Sequence, residues 1–280
     1  MDFASADAEQ KYAALAALAA QTVVALDFDG TLSPIVEDPT RARIHPDAGA
    51  VLIDLAPKVR AIAVVTGRPA RQVLALGGLE EVADALAATG TELLVYGQYG
   101  NEHWTSSHRT IAGPRPPVGL ATFLCELPRL LRDHDAADAY VEEKGLAVAV
   151  HTRRLADPQG TYLRLLEPLR AAAESHDLAI EPGKHVIEVR SPGMDKGLVI
   201  DRLVDTLDAK AVLFAGDDLG DVEAFEALDA WQQEGLHTLK VCSLSADDAG
   251  ESPLKSLADV VVPGPDGVLA LLRKLAADAG

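Results

Sequence analysis

The sequence is poor in aromatic residues, in cysteine and in positive charge. Aromatics make up 4% of its 280 residues, so a core must be built mainly from Ala, Val and Leu; a hydrophobic content of 48% supports one large domain or two modest ones. Cys125 and Cys242 form neither a CxxC motif nor a Cys/His cluster, which indicates two reduced, buried thiols rather than a disulfide or a zinc site. The net charge of −18 repels nucleic acids and anionic membranes, so any phosphate site must be locally cationic.

Residues 1–20 are not expected to act as an export signal. Residues 1–20 contain an Ala-rich stretch, but their start is acidic and no basic region precedes the apolar part. The stretch is too short to span a membrane, and we interpret it as an amphipathic surface helix. We therefore expect a cytoplasmic protein without nucleic-acid or membrane partners, and we expect it to be a monomer.

Apolar runs alternate with helical patterns along most of the chain, which predicts parallel strands joined by crossover helices. The first run, residues 22–28, is continuously apolar, as expected of a central strand buried on both faces. Further runs cover residues 61–67, 92–100, 211–218, 238–244 and 259–263, and a helix near 266–277 closes the chain. Several runs end in polar or Gly-rich residues, and ligands of open α/β sheets bind at those carboxyl ends.

One stretch breaks this alternation. After a Pro-rich segment at 113–117, helical patterns at 118–134 and 158–176 are each followed by two short β-like runs, at 138–144 and 146–153 and then at 177–184 and 185–190. The order αββαββ predicts a small antiparallel sheet with helices on one face. We expect a Rossmann-like α/β core formed by residues 1–115 and 189–280, with residues 116–188 inserted as an α+β cap, or lid.

Two groups of aspartates follow predicted strands. Asp27 and Asp29 are two residues apart, so their side chains would emerge on the same side of the strand, and Gly30 allows a sharp turn after them. Two carboxylates about 5 Å apart repel by about 3 kcal/mol at an effective dielectric constant near 20, and a structural role does not require both.

The second group lies in the segment Gly-Asp-Asp-Leu-Gly-Asp, which alone could be a turn that caps a helix. Together with the first pair it gives five carboxylates at one edge, which cannot all stay ionised without a cation. Oxygen ligands without His or Cys select Mg²⁺. The predicted magnesium ligands are Asp27, Asp29, Asp217, Asp218 and Asp221.

Groups suited to binding a phosphate lie at the end of the second predicted strand and at the start of a later helix. Thr66, Gly67 and Arg68 end the second strand, where a hydroxyl and backbone N–H groups can form an anion cradle, although a plain helix cap explains the fragment equally well. Lys196 begins a helix that re-enters the core. Its ammonium would lie opposite the carboxylates, where it can hold both Asp27 and a phosphate oxygen.

In chain order, the four elements are the pair Asp27 and Asp29, the turn 66–68, Lys196 and the segment 216–221. In that order they resemble the hallmark motifs of the haloacid dehalogenase superfamily of phosphatases. The resemblance implies that Asp27 is the nucleophile that forms an aspartyl-phosphate, and that Asp29 acts first as general acid and then as general base. It implies that Mg²⁺ binds the Asp27 carboxylate, the Asp29 backbone carbonyl and Asp217.

The same resemblance assigns the remaining core residues. Asp218 and Asp221 would hold metal-bound waters or Lys196, while Thr66 and Lys196 would bind the phosphoryl oxygens. One Mg²⁺ and one lysine would supply the site with the positive charge that the net charge of −18 otherwise denies it.

The predicted cap carries charged side chains within apolar strands. They are Glu142, Lys144, His151, Arg153, Lys184 and Glu188. Strand alternation puts Glu142 and Lys144 on one face, and likewise His151 and Arg153. Such a face can hydrogen-bond the hydroxyls of a sugar, or it can be an exposed sheet face with cross-strand ion pairs, and the residues leave both interpretations open.

The cap is similar to that of trehalose-6-phosphate phosphatases, with E-x-K-G, H-x-R, P-G-K-x-x-x-E-V/I-R and a following x-x-K-G turn. In that family the E-x-K and K-x-x-x-E residues contact sugar hydroxyls, which here implies Glu142, Lys144, Lys184 and Glu188. The substrate so implied is trehalose 6-phosphate. One motif departs from the family: the loop that often reads G-x-H-G has Tyr99 in place of histidine, so it can donate a hydrogen bond but carries no positive charge.

Two other functions stay open at this stage. Another lidded sugar phosphatase, acting on a sucrose, mannosyl or hexose phosphate, would share the core and differ in the cap. A non-catalytic sugar-phosphate sensor would keep the fold, but such proteins typically lose a motif residue, and Asp27, Asp29, Lys196 and Asp217 are all present.

Overall fold

The computed structural model describes residues 2–3, 5–36, 38–183, 185–193, 195–244 and 253–279. Its backbone divides into two compact units, one formed by Met1–Gly113 with Asp195–Gly280 and the other by Pro114–Met194. The residues predicted to form the cap, 116–188, lie within the second unit.

Twelve strands are found in the described residues. They are β1 (Asp2–Phe3), β2 (Thr22–Leu26), β3 (Ala61–Val65), β4 (Glu92–Gly97), β5 (Glu102–Thr105), β6 (Tyr140–Glu143), β7 (Ala147–His151), β8 (Ala179–Gly183), β9 (Val186–Arg190), β10 (Ala211–Gly216), β11 (His237–Leu244) and β12 (Val260–Pro263). In the first unit, eight of them form one sheet in the order β1-β12-β11-β10-β2-β3-β4-β5. The six inner strands are parallel and the two edge strands are antiparallel, which confirms the predicted α/β core. The sequence patterns did not predict β1 or β5.

The α-helices of the described residues are α1 (Ala6–Ala17), α2 (Ala48–Leu55), α3 (Ala70–Gly77), α4 (Leu79–Leu86), α5 (Val118–Asp133), α6 (Pro158–Glu174), α7 (Lys196–Leu207), α8 (Val222–Gln233) and α9 (Gly264–Asp278). None of them is long and apolar enough to cross a membrane. The apolar run of β2 follows from burial on both faces of the sheet. Val24 and Leu26 pack into the cluster that includes α2 and α9, while Val23 and Ala25 pack into the cluster that includes α7 and α8.

The second unit is the predicted αββαββ arrangement. Its four strands form an antiparallel sheet in the order β6-β7-β9-β8. Val148, Val150, Ile187 and Val189 point to one face, where they pack with apolar residues of α5 and α6. The opposite face carries Glu142, His151 and Glu188, three of the charged residues that the sequence singled out.

Two details differ from the sequence-based expectation. The strand predicted over residues 22–28 ends at Leu26, although the Asp27 N–H still donates to the Ala215 carbonyl at 2.8 Å. Cys242 is buried as expected, but Cys125 is exposed, so the prediction of two buried thiols was wrong for Cys125. Cys125 belongs to an amphipathic helix, α5, and lies outside the apolar stripe formed by Phe123 and Leu127.

Candidate active site

Three buried carboxylates converge at the carboxyl ends of β2 and β10. Oxygens of Asp27, Asp217 and Asp221 all lie within 4.8 Å of one another. Asp27 directly follows β2 and Asp217 directly follows β10, and these two strands are parallel neighbours. Gly30, at a φ of 72°, turns the chain beside them, and a Cβ there would collide with the Asp217 carboxylate.

Lys196 lies buried between two of these carboxylates. Its Nζ donates to Asp27 Oδ1 at 2.8 Å and to Asp221 Oδ1 at 2.5 Å. The position of Lys196 is fixed by the start of α7, because the Asp195 carboxylate caps the helix by accepting the Leu198 N–H at 2.9 Å. Burial alone would lower the pKa of Lys196, but the Asp221 and Asp27 carboxylates raise it well above its usual value, so the lysine stays charged.

The Gly-Asp-Asp-Leu-Gly-Asp segment is both a helix cap and part of this cluster. The Asp221 carboxylate accepts the N–H groups of Asp217 at 2.9 Å and Asp218 at 3.3 Å. Asp218 in turn accepts the Gly220 N–H at 2.9 Å, which completes a capping box ahead of α8. The segment is therefore a helix cap that also brings Asp217 and Asp221 into the buried cluster.

The cluster carries more negative charge than Lys196 can balance. Burial, with the neighbouring carboxylates, raises the pKa of Asp27 and of Asp217 well above the ordinary aspartate value, despite the opposing effect of Lys196. Loss of water around its carboxylate and the Asp221 charge raise the pKa of Asp218 to about 6, although this residue lies exposed at the rim. Buried oxygen ligands with excess negative charge fit a hard divalent cation such as Mg²⁺.

The side chain of Asp29 takes a different partner. Its two carboxylate oxygens accept a bidentate pair of bonds from Arg68, from Nε at 2.5 Å and from Nη2 at 2.8 Å. Arg68 Nη1 also donates to the Pro39 carbonyl at 2.8 Å. Arg68, which the sequence assigned to the substrate phosphate, thus orients the predicted acid–base residue.

The predicted anion cradle is the turn between β3 and α3. Thr66 is buried, and its hydroxyl accepts the Arg68 N–H at 3.1 Å, which holds the turn closed around Gly67. The Tyr99 N–H, from the loop after β4, donates to the Thr66 carbonyl at 3.0 Å. The turn is therefore bonded to the loop whose sequence departs from the family pattern.

The second unit gathers charged side chains on one face of its sheet. Backbone register places Glu142, Ala149, Glu188 and Glu181 in one row across the four strands. Lys144 forms an ion pair with Glu188, and His151 Nε2 lies 2.9 Å from Glu142. The Glu188 side chain is buried, and its Oε1 has no hydrogen-bond partner among the described residues.

Two further residues were predicted for the sugar site. Arg153 follows the end of β7 and is exposed, and Lys184 lies outside the described residues. The sequence analysis missed Glu181, which belongs to this row, and Arg190, whose Nη2 donates to Glu181 Oε2 at 2.7 Å. Strand alternation from Glu188 to Arg190 was the signal that could have identified Arg190.

Comparison with known proteins finds relatives over most of this chain. The family model described as trehalose-phosphatase matches residues 25–108 and 132–259. A trehalose-phosphate phosphatase of Mycobacterium bovis is 34% identical over 238 residues, which cover 82% of this chain and 56% of that protein. An uncharacterised glycosyl hydrolase of Mycobacterium tuberculosis is 33% identical over 235 residues, which cover 79% of this chain and 16% of that protein. The chain thus spans about half of the first relative and less of the second.

A solved structure shares the fold over almost the whole chain. The C-terminal domain of a C. albicans trehalose-6-phosphate phosphatase matches with a TM-score of 0.76 and 19% identity, covering 99% of this chain and 98% of that one. At this identity the likeness demonstrates the fold.

Proposed function

The chain belongs to the trehalose-phosphatase family, and from that premise we propose that it hydrolyses trehalose 6-phosphate to trehalose and orthophosphate. The observation that carries the proposal is the buried cluster of Asp27, Asp217 and Asp221 around Lys196 at the edge of the parallel sheet. Such a cluster offers a nucleophile, a cation and a place for a divalent metal within a few ångströms.

We assign the nucleophile to Asp27. One of its oxygens attacks phosphorus, the bond from phosphorus to the sugar oxygen breaks, and Asp29 donates a proton to the leaving sugar oxygen. Water then attacks the aspartyl-phosphate while Asp29 takes up its proton, which releases orthophosphate and restores both carboxyl groups. The bidentate pair with Arg68 orients the Asp29 carboxylate for this second step.

Lys196 and the turn after β3 stabilise the charge of the transferring group. Lys196 holds Asp27 in place and offers its remaining N–H to a phosphoryl oxygen, and Thr66 with Gly67 forms the rest of the cradle. We propose that Asp27, Asp217 and the Asp29 carbonyl would hold Mg²⁺, with Asp218 and Asp221 supporting its waters and Lys196. When bound, Mg²⁺ would offset negative charge on the phosphoryl oxygens.

We propose that the second unit recognises the sugar. Glu142, Lys144, His151 and Glu188 lie on or beside one sheet face, and Arg153 and Lys184 are proposed to join them. Glu188 Oε1, which lacks a partner among the described residues, is suited to accept a bond from a sugar hydroxyl, because buried polar atoms are normally satisfied.

A phosphate-release panel tests the proposed function. We expect turnover of trehalose 6-phosphate with Mg²⁺, loss of that turnover with a chelator, and much lower turnover of sucrose 6-phosphate, glucose 6-phosphate and a mannosyl phosphate. Equal turnover of all these esters would favour a general sugar phosphatase. Binding of trehalose 6-phosphate without release would favour a sensor.

A further inference from the structure

The loop after β4 holds two neighbouring residues in a backbone conformation that favours glycine. Gln98 has a φ of 48°, and Tyr99 has a φ of 57° and a ψ of 31°. Within the part of the chain that the structure describes, no other adjacent pair of non-glycine residues has positive φ. Strain of this kind persists where the surroundings hold it, and it concentrates at functional sites.

The backbone of this loop is bonded to the predicted phosphate cradle. The Gln98 N–H donates to the Arg68 carbonyl at 2.9 Å, and the Tyr99 N–H donates to the Thr66 carbonyl at 3.0 Å. Both ends of the turn from Thr66 to Arg68 are therefore tied to the two strained residues. A change in the loop conformation would move the cradle.

The Tyr99 ring lies against the centre of the same turn. A Cβ atom added to Gly67 would lie 2.8 Å from Tyr99 Cζ, 2.8 Å from its hydroxyl oxygen and 3.2 Å from Cε2. Cε1, on the other edge of the ring, would lie 3.8 Å from a Cβ added to Gly220. Gly220 belongs to the turn that carries Asp217 and Asp221, so one ring lies between the phosphate cradle and the carboxylate turn.

We propose that Tyr99 is a positioning residue for the phosphoryl group, an inference that rests on the phosphatase activity proposed above. The ring keeps Gly67 and its N–H in the arrangement that receives phosphate, and the left-handed backbone directs the ring to that place. We assign this role to the aromatic ring, because ring carbons lie beside the space that a Cβ at Gly67 or at Gly220 would occupy. Gly67 is required because a side chain there would enter the space of the ring.

Two substitutions of Tyr99 distinguish the role of its ring from the role of its hydroxyl. With p-nitrophenyl phosphate as substrate and Mg²⁺ present, Tyr99→Ala should lower kcat/KM and weaken competitive inhibition by orthophosphate, each by about tenfold or more, because small displacements of a binding group carry large kinetic effects. Tyr99→Phe should keep both values within about threefold of the unsubstituted protein. Tyr162→Ala, which removes a half-buried tyrosine of α6, is the matched control and should leave orthophosphate inhibition unchanged.

The proposal is overturned if Tyr99→Phe loses as much as Tyr99→Ala, or if Tyr99→Ala melts normally and binds orthophosphate normally. If Tyr99→Ala does not fold, a double-mutant cycle tests the proposed contact between Gly67 and the Tyr99 ring independently. Gly67→Ala should weaken orthophosphate binding because its Cβ would meet the ring, and Gly67→Ala with Tyr99→Phe should lose as much as Gly67→Ala alone. Full activity of Gly67→Ala would contradict the contact.

These measurements are independent of sugar specificity. A protein that hydrolyses p-nitrophenyl phosphate but not trehalose 6-phosphate would refute the proposed substrate and leave the Tyr99 test intact. A protein that releases phosphate from no ester would refute the proposed function, and calorimetric titration with orthophosphate would still measure the effect of each Tyr99 variant.

Discussion

The sequence predicts the spatial neighbours of some residues of this site and not those of others. Asp27 and Asp217 each follow an apolar run directly, so parallel pairing of β2 with β10 brings them together, and that pairing could be inferred from the sequence. The partner of Arg68 could not be inferred from the sequence. A long, flexible guanidinium side chain after β3 can reach either a phosphate or the Asp29 carboxylate, and only coordinates distinguish the two.

Asp27→Asn should abolish phosphate release from both trehalose 6-phosphate and p-nitrophenyl phosphate, by a factor of about 10³ or more, because an amide cannot act as the nucleophile. The shape of the side chain is kept and Lys196 retains Asp221, so the fold should survive. Stopped assays together with circular dichroism measure the two effects. Retention of more than about a tenth of the activity would place the nucleophile at another residue.

Lys196→Met should destabilise the metal-free protein by about 3–5 kcal/mol, because it leaves the buried carboxylates of Asp27 and Asp221 without their cation. Urea unfolding in the presence of a chelator measures the loss. Lys210→Met is the matched control, since its ion pair with Asp208 is exposed and contributes little. Similar stability of the two variants would contradict the buried charge network.

At the scale of elements, the long apolar runs predicted strands correctly, whereas the short polar strand β5 was not predicted. β2, β3 and β10 are buried throughout, so their hydrophobic runs predicted them, whereas β5, with the sequence Glu-His-Trp-Thr, forms because β4 offers it an edge to pair with. That pairing is a tertiary effect that no local pattern contains. The four strands of the second unit could be predicted from alternation, but the row that joins Glu181 to Glu188 depends on the register of β8 against β9.

Glu188→Ala should raise KM for trehalose 6-phosphate about tenfold or more and leave p-nitrophenyl phosphate nearly unaffected, because the small ester lacks the hydroxyls that this carboxylate would bind. Steady-state kinetics with both esters measure the difference. Glu143→Ala is the control, since Glu143 belongs to β6 but is exposed and points to the opposite face from Glu142. An equal loss with both substrates would show that Glu188 supports the fold and does not read the sugar.

At the scale of the whole molecule, acidic charge and metal binding together should set the pH dependence of stability. The pKa values of Asp27, Asp217 and Asp218 are raised in the folded protein, so between the unfolded and folded pKa values the folded state holds more protons than the unfolded state. The contribution of these groups to stability is therefore complete below about pH 4 and falls as the pH rises, for Asp218 through about pH 6.

Mg²⁺ should reverse this trend, because it requires the ionised carboxylates. We expect Mg²⁺ to raise the Tm clearly at about pH 7.5 and much less at about pH 5. The free energy of unfolding should rise by up to about 2.7 kcal/mol when the Mg²⁺ concentration is roughly 100 times its Kd. Thermal melts with Mg²⁺ and with chelator at both pH values provide the measurement. Equal shifts at the two pH values would indicate that the metal binds elsewhere.

The first unit is discontinuous, and this has a consequence during synthesis. Asp27 is made early, but its neighbours Lys196, Asp217 and Asp221 belong to the second segment of the unit. Until the ribosome has produced β10, which begins at Ala211, the strand β2 has an unpaired edge on that side. A nascent chain that stops within the second unit would therefore present a half-sheet with an unpaired edge, and folding of the core must wait for the segment that begins at Asp195.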